Sequence, residues 1–230
     1  MNITENKNDL ISLAAECVPE GCEVLLLTSG EPVDLCALND KGCKITVISD
    51  IAELEEPEKI LIEKQYDVVV FDDVFTKLKR PADLLNYVEG FLKDNACILA
   101  SIFNFTYGLC RMKALLGTFD YKNMGALSRS ELNFFDYDRL TSFFGEEGYY
   151  INRLYRVTKP IDDAAISATL KSAGFKATYA EIDNLRRMRE FEVERYLIRA
   201  CPAKDKPALK ELTKGIQKNL STIRTLKHPY

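Results

Sequence analysis

A single histidine, His228, stands near the end of the chain. A catalytic histidine in the body of the protein is thereby excluded, and with it Ser-His-Asp and Cys-His hydrolysis. The seven cysteines form no CxxC pair. Without metal-ligand spacing they read as reduced thiols in a reducing compartment, and no metal site is expected. No apolar run approaches the roughly 18 residues that cross a bilayer. The opening MNITENKNDL is polar, so the expectation is a cytoplasmic protein with no membrane partner. Positive charge is not in excess either. A formal net charge of −4 gives no general attraction for nucleic acid, which is not expected as a partner. No GxGxxG follows the first apolar run, which argues against a Rossmann oxidoreductase.

What is present is the material of one α/β domain. The 230 residues are 47% hydrophobic and 29% charged, enough to bury a full core. Apolar residues at helical spacing from Asp9 to Val18 end at Pro19 and Gly21, before a strongly apolar run from Glu23 to Leu27. Helix then strand is the opening. Val33 to about Gly42 reads as a helix, Lys44 to Ile48 as a second strand, and Tyr66 to Phe71 as a third. The last is apolar on both faces, as buried parallel strands are. Pro81 to Leu92 is an amphipathic helix and Ala96 to Ile102 another buried strand.

Strand and helix thus alternate from Glu23 to Asn104 as in a doubly wound sheet, which binds ligands outside the carboxyl ends of its strands. Beyond it, Asp136 to Glu147 reads as a helix, Tyr149 to Val157 and Arg195 to Cys201 as strands, and two helices, Asp162 to Ser172 and Thr178 to Glu190, separate those strands. The expected organisation is one domain over residues 1–203 and an amphipathic helical tail over 204–230. Leu209, Leu212, Ile216, Leu220 and Ile223 lie along one face of the tail and lysines along the other. Such a tail packs on its own domain, on a second copy, or on a protein partner.

The stretch GTFDYKNMGALSRSELNFFDYDRL, Gly117 to Leu140, is similar to a GxFDYxDxGILDRTHLRFFT segment of known proteins. YDVVVFDDV, LASIFN and ERYLIRACP agree with the same pattern. On these residues the chain, from about Glu23 to Pro202, resembles the class I S-adenosylmethionine-dependent methyltransferases. Within them it resembles a bacterial and archaeal group often encoded near glycosyltransferases. The resemblance implies a Rossmann-like fold, a mostly parallel seven-stranded sheet whose last strand runs antiparallel, with helices on both faces. S-adenosylmethionine is the implied cofactor.

Against that pattern the chain departs at four places. The family's glycine-rich loop VLDxGCGxG reads VLLLTSGEP, so that Thr28 and Pro32 stand where two glycines are expected and only Gly30 remains. A glycine there leaves room that a side chain would fill. Thr28, Ser29 and Gly30 are the candidate loop contacts. The ribose carboxylate expected after the second strand falls on Ser49, with Asp50 next to it; a bidentate acceptor suits a vicinal diol, and an acidic residue after a strand is also a common helix cap. Between Asp50 and Tyr66 the chain is about half as long as the family's helix, third strand and adenine loop require. Finally, DVLEHL becomes DVFTKL, and THLRFF becomes SELNFF, placing Thr76, Lys77, Glu131 and Asn133 at positions of the cleft.

Methyl transfer to a hydroxyl needs an aligned acceptor and a base. Asp73 and Glu131 are the candidate catalytic carboxylates, Asp72 a candidate cofactor contact, and Asn104 and Tyr107 candidate orienting groups. Each also has a structural reading: a turn cap for Asp73, a solvated Asp72, and a Glu131 paired with arginine. Phe134, Phe135, Phe143 and Phe144 fit an aromatic acceptor box or, more commonly, a core. Two functional readings follow. One is a methyltransferase-like pseudoenzyme or partner-binding module with weakened or lost cofactor binding. The alternative is an active, divergent methyltransferase on a small-molecule or glycan-related acceptor.

Overall fold

The computed structural model describes residues 2–4, 9–29, 33–60, 64–117, 130–204 and 206–227. Its centre is a mixed sheet of β3 (Lys44–Ile48), β2 (Glu23–Thr28), β4 (Tyr66–Asp72), β5 (Leu92–Phe103), β7 (Val193–Pro202) and β6 (Tyr149–Thr158), in that spatial order. The first four are parallel to one another, and β7 runs antiparallel to both β5 and β6. A three-residue strand, β1 (Asn2–Thr4), pairs parallel with the outer edge of β6.

The two faces of the sheet are read directly from the alternation of the strands. Leu25, Leu27, Val69, Phe71, Ile98 and Ala100 face one layer, with Leu84, Leu85 and Val88 of α4 (Pro81–Glu89) and Leu140, Phe143 and Phe144 of α6 (Tyr137–Glu146). Val24, Leu26, Val68, Val70, Cys97 and Leu99 face the other, with Leu10, Ile11, Ala14 and Ala15 of α1 (Asp9–Cys17) and Leu38 of the short α2 (Cys36–Asn39). Both faces being covered is why these strands read as continuous apolar runs. A third cluster, Tyr107, Met112, Ile166, Leu170 and Ile182, joins α5 (Gly108–Leu115), α7 (Asp163–Ser172) and α8 (Tyr179–Arg186). Gly108 permits that junction: a Cβ there would lie 2.5 Å from the Ile161 side chain and 2.7 Å from the Phe191 ring.

The expected elements are recovered with shifted ends, and the differences have local causes. The helix expected from Val33 to Gly42 is only Cys36–Asn39. Thr178 and Glu181 form a capping box that starts α8 at Tyr179. The helix ends at Arg186, short of Glu190, which takes a left-handed φ of 60°. α5, with no side-chain cap at Tyr107, was not expected. Between Asp50 and Tyr66, where the resemblance implies a third strand, stand α3 (Ile51–Leu54) and a single 3-10 turn at Pro57–Lys59. Among the described residues β3 is therefore the edge of the sheet.

The tail helix α9 (Lys206–Lys227) lies against α6. The approach is close at Gly145, where a Cβ would fall 2.3 Å from Thr213 Oγ1. Lys206 pairs with Glu89 and sits 5.1 Å over the Tyr149 ring, while Leu212 and Ile216 are exposed. The arginines of NLRRMREFEVER are ion-paired: Arg186 with Asp163 and Glu192, Arg187 with Asp183, Arg189 with Asp138. Cys22 and Cys43, at the starts of β2 and β3, hold their Sγ atoms 3.2 Å apart as free thiols. Burial, with the neighbouring Cys43 thiol, pushes the Cys22 thiol up to about 12. Among the described residues no helix is long and apolar enough to cross a membrane.

Candidate functional site

The carboxyl ends of β2, β4 and β5 lie side by side, and their register sets Thr28 opposite Asp72 and Asp72 opposite Ser101. Most of the residues singled out from the sequence converge on this edge. Thr28 is buried, and its Oγ1 has no hydrogen-bond partner among the described residues. Ser29 accepts a hydrogen bond at 2.5 Å from Nζ of Lys77, whose ammonium reaches back from the turn after β4 to the end of β2. Gly30, Glu31 and Pro32 lie outside the described residues, as do residues 118–129 of the segment that carries the resemblance.

Asp73 follows β4 in the left-handed region at φ 51°, a conformation that aspartate tolerates better than most residues. There its carboxylate turns toward β5 and β7. Oδ1 accepts from the Ser101 hydroxyl at 3.1 Å and Oδ2 from Arg195 Nη1 at 3.0 Å, while the same Nη1 is 2.9 Å from Ser101 Oγ. Arg195 is the residue paired with Phe103 in the antiparallel register of β7 on β5. Burial works against its charge, but Asp73, Glu194 and Asp72 outweigh it and hold the guanidinium above its ordinary value. Asp73 is thus a member of a partly buried ion-paired triad, and Asp72 contributes to the same field.

Ser49 and Asp50 stand apart on the exposed end of β3. One carboxylate oxygen of Asp50 is engaged locally: Oδ1 accepts from Ala52 N at 2.8 Å and caps α3.

On the other side of the edge, the segment 131–135 is laid against the turn after β4. Leu132 N and Asn133 N both donate to the Thr76 carbonyl, at 2.7 and 2.9 Å. The Asn133 side-chain amide donates to the carbonyls of Leu78 and, at 3.5 Å, Phe75. The position where the family pattern has an arginine therefore serves as a structural clip. Beside it, Phe103, Phe105, Phe134 and Phe135, together with Thr76, Asn133 and Glu131, line a shallow opening with room for about one water-sized molecule. Burial raises the Glu131 carboxyl above its ordinary value. A hydrogen bond with the Thr76 side chain and the charge of Lys77 oppose the rise, and Asp73 adds to it. Glu131 is not among the arginine-paired carboxylates of the described residues.

Of the four phenylalanines proposed for an acceptor box, Phe135, Phe143 and Phe144 are core residues around Phe75, with ring centroids 5.5 Å (Phe143) and 5.8 Å (Phe144) from it. Only Phe134 is open, 48% exposed and 4.5 Å from the Phe105 ring. Asn104 and Tyr107, the candidate orienting groups, are tied into the scaffold. Asn104 Nδ2 donates to Val193 O at 2.7 Å and its Oδ1 accepts from Thr106 N and Oγ1; the Tyr107 hydroxyl donates to Lys159 O at 3.0 Å. The residues not singled out from the sequence but central here are Ser101, Arg195 and Phe105. The substitution of histidine by Lys77 is visible in the motif; its reach to Ser29 is not.

No family model matches the chain, and no curated protein matches it in sequence. Solved structures do match in fold. The 1,6-didemethyltoxoflavin-N1-methyltransferase of Burkholderia thailandensis, solved with 1,6-didemethyltoxoflavin and S-adenosylhomocysteine bound, superposes with a TM-score of 0.52 at 10% identity, covering 86% of this chain and 78% of its own. The [4+2]-cyclase SpnF gives a TM-score of 0.50 at 13% identity, covering 85% and 81%. The chain has a Rossmann-like methyltransferase fold. One of these two structures is named a cyclase, so the methyltransferase fold by itself leaves the reaction open.

Proposed function

We propose that this methyltransferase-fold protein has weakened or lost the methyl-donor site and acts as a pseudoenzyme, a binding module built on the old scaffold. The observation that carries the reading is the Lys77–Ser29 hydrogen bond of 2.5 Å at the end of β2. It brings a cation to the place where the fold receives a donor that itself bears a sulfonium, and like charges raise each other's cost. Thr28 supports the reading from the other side. A buried side chain occupies a position where the motif uses glycine to let the ligand approach the backbone. The methyl donor fits these residues poorly, and Asp50, the nearest candidate for its ribose, spends one carboxylate oxygen on a helix cap.

Calorimetric titration of the full chain with S-adenosylmethionine and S-adenosylhomocysteine tests the reading. The expected result is no binding of S-adenosylmethionine below about 100 µM, a threshold that corresponds to roughly 5.5 kcal/mol. Lys77→Ala should strengthen it, and more so for the sulfonium than for the uncharged thioether. Micromolar binding of S-adenosylmethionine by the unmodified chain would overturn the reading in favour of a divergent methyltransferase on a small-molecule or glycan-related acceptor. For that alternative the supporting observation is the neighbourhood of Asp73 and Glu131 beside the aromatic opening.

A further inference from the structure

At the amino ends of β2 and β3 two turns run side by side. The turn before β2 holds Gly21 at a left-handed φ of 68°, and the turn before β3 holds Gly42 at 67°. Each then delivers a cysteine, Cys22 or Cys43, immediately before its strand begins. Backbone hydrogen bonds keep the turns in register on both sides of the cysteines: Gly21 N donates to Lys41 O at 2.9 Å, and Lys44 N donates to Cys22 O at 2.9 Å. Lys41 Nζ adds a bond to Val18 O at 3.1 Å. Between these bonds the two Sγ atoms lie 3.2 Å apart, both as free thiols.

A sulfur–sulfur bond is about 2.05 Å long, so joining them takes roughly 1.2 Å of approach, which small rotations about the two Cα–Cβ bonds supply. The pair also lies just beneath the surface. Cys22 is 6% and Cys43 9% exposed, under the exposed Gly21 and Gly42. A molecule the size of hydrogen peroxide reaches that depth more readily than a bulky disulfide does. The strand that such a bond would hold is a weakly covered one. Among the described residues β3 is the edge of the sheet next to β2, none of its five residues is fully buried, and Val47 is 47% exposed. Residues 24–28 of β2 are buried throughout. An edge strand with little buried surface opens more easily than the strands inside.

We propose that Cys22 and Cys43 are an oxidation site for a hydroperoxide, closing to a disulfide that ties the edge strand β3 to β2. One sulfur attacks a peroxide oxygen, so that an S–O bond forms and the O–O bond breaks; the departing hydroxide leaves as water with the proton of that thiol. The second sulfur then attacks the first, the S–O bond breaks, and a second water leaves with the second proton. Two thiols and one hydrogen peroxide thus give one disulfide and two waters, sulfur being oxidised and the peroxide oxygens reduced. Burial and the neighbouring Cys43 thiol push the Cys22 thiol up to about 12. Cys22 therefore keeps its proton through the first step, and Cys43, the more exposed sulfur, meets the peroxide. The nearness of Cys22 then captures the sulfenic acid before a second peroxide oxidises it further. A reducing compartment keeps the pair open until peroxide rises. The site stands at the opposite end of β2 from the Lys77–Ser29 contact and does not depend on whether the methyl donor binds.

The test exposes the reduced full chain to hydrogen peroxide, blocks the remaining thiols with iodoacetamide in denaturant, and cuts the chain with trypsin and a glutamate-specific protease. That pair of cuts separates Cys22 from Cys17 and Cys36. The expected product joins peptide 21–23 to peptide 42–44, and dithiothreitol releases it. The two cysteines are 21 residues apart. For a loop of that size the oxidised chain should melt about 5 °C or more above the reduced one, and the β3 amides should exchange with solvent about tenfold or more slowly. Cys43→Ser should show neither change after peroxide. Should that variant fail to fold, the linked peptide and the exchange of β3 in the unmodified chain decide the matter. Three results overturn the proposal: Cys22 and Cys43 both still free after the exposed Cys36 has been oxidised, Cys22 linked to a different cysteine, or a Cys22–Cys43 link that leaves β3 exchange unchanged. No methyl donor is present, so these outcomes are separate from those of the calorimetric test.

Discussion

The two ends of the sheet's carboxyl edge treat their polar residues differently. At the β2 and β3 end, side chains that a cofactor would meet are turned to local closure: Ser29 takes the Lys77 ammonium and Asp50 caps α3. At the β5 and β7 end, the partly buried triad of Asp73, Ser101 and Arg195, with Asn104, fastens the strands and the turn between them. At one end the polar groups serve a side-chain contact and a helix cap, and at the other they tie strands and a turn together. The groups that hold each end are distinct, so a change at one need not carry over to the other.

The strongest way to break this comparison is at Asn104. It is fully buried and takes part in bonds to Val193, Glu190 and Thr106. Asn104→Ala leaves those groups without partners and should lower stability by about 3 kcal/mol in urea unfolding. A loss well below 1 kcal/mol would mean that the β5 end is not braced as described. Asp50→Ala probes the closed end and should cost about 1 kcal/mol, the usual worth of a helix cap. Unchanged stability would return Asp50 to the pool of candidate ligand groups.

The smallest effect is expected from Glu131→Gln, and it is a matter of sign with pH. Burial raises the Glu131 carboxyl above its ordinary value of 4.5, with Asp73 adding to this and Thr76 and Lys77 opposing. The folded state thus favours the protonated acid. That contribution is complete below the ordinary value and is lost as pH rises through the raised one. Glutamine does not ionise, so the variant should gain on the unmodified protein as pH rises from the ordinary carboxyl value through the raised one, and the difference should then level off. A difference that grows toward acid instead would show that the charges of Lys77 and Arg195 outweigh burial at this carboxylate.

Legibility differs between these two ends for physical reasons. β4 and the inner part of β5 are apolar on both faces, so their residues alone mark them as strands. The shortness of the stretch from Asp50 to Tyr66 is legible too, and its described residues hold α3 and a 3-10 turn. β1, only three residues long, and the uncapped α5 carry no comparable pattern. At the site, Thr28 can be read as a lost glycine from its motif alone. The Asp73–Arg195 pair cannot, since 122 residues separate its members and only the antiparallel register of β7 on β5 brings them together.

The sequence by itself determined the layered α/β fold, because hydrophobic periodicity and turn residues act over a few neighbours and are written locally. It also determined which positions of the glycine-rich loop carry side chains. The tertiary structure decided what those substitutions do: that Lys77 reaches Ser29, that Asn133 becomes a clip for the 75–78 turn, and that Glu131 lines an opening with Phe103, Phe105, Phe134 and Phe135. Those outcomes depend on distances of a few ångströms between segments far apart in the chain. Such distances are set by how the whole core packs.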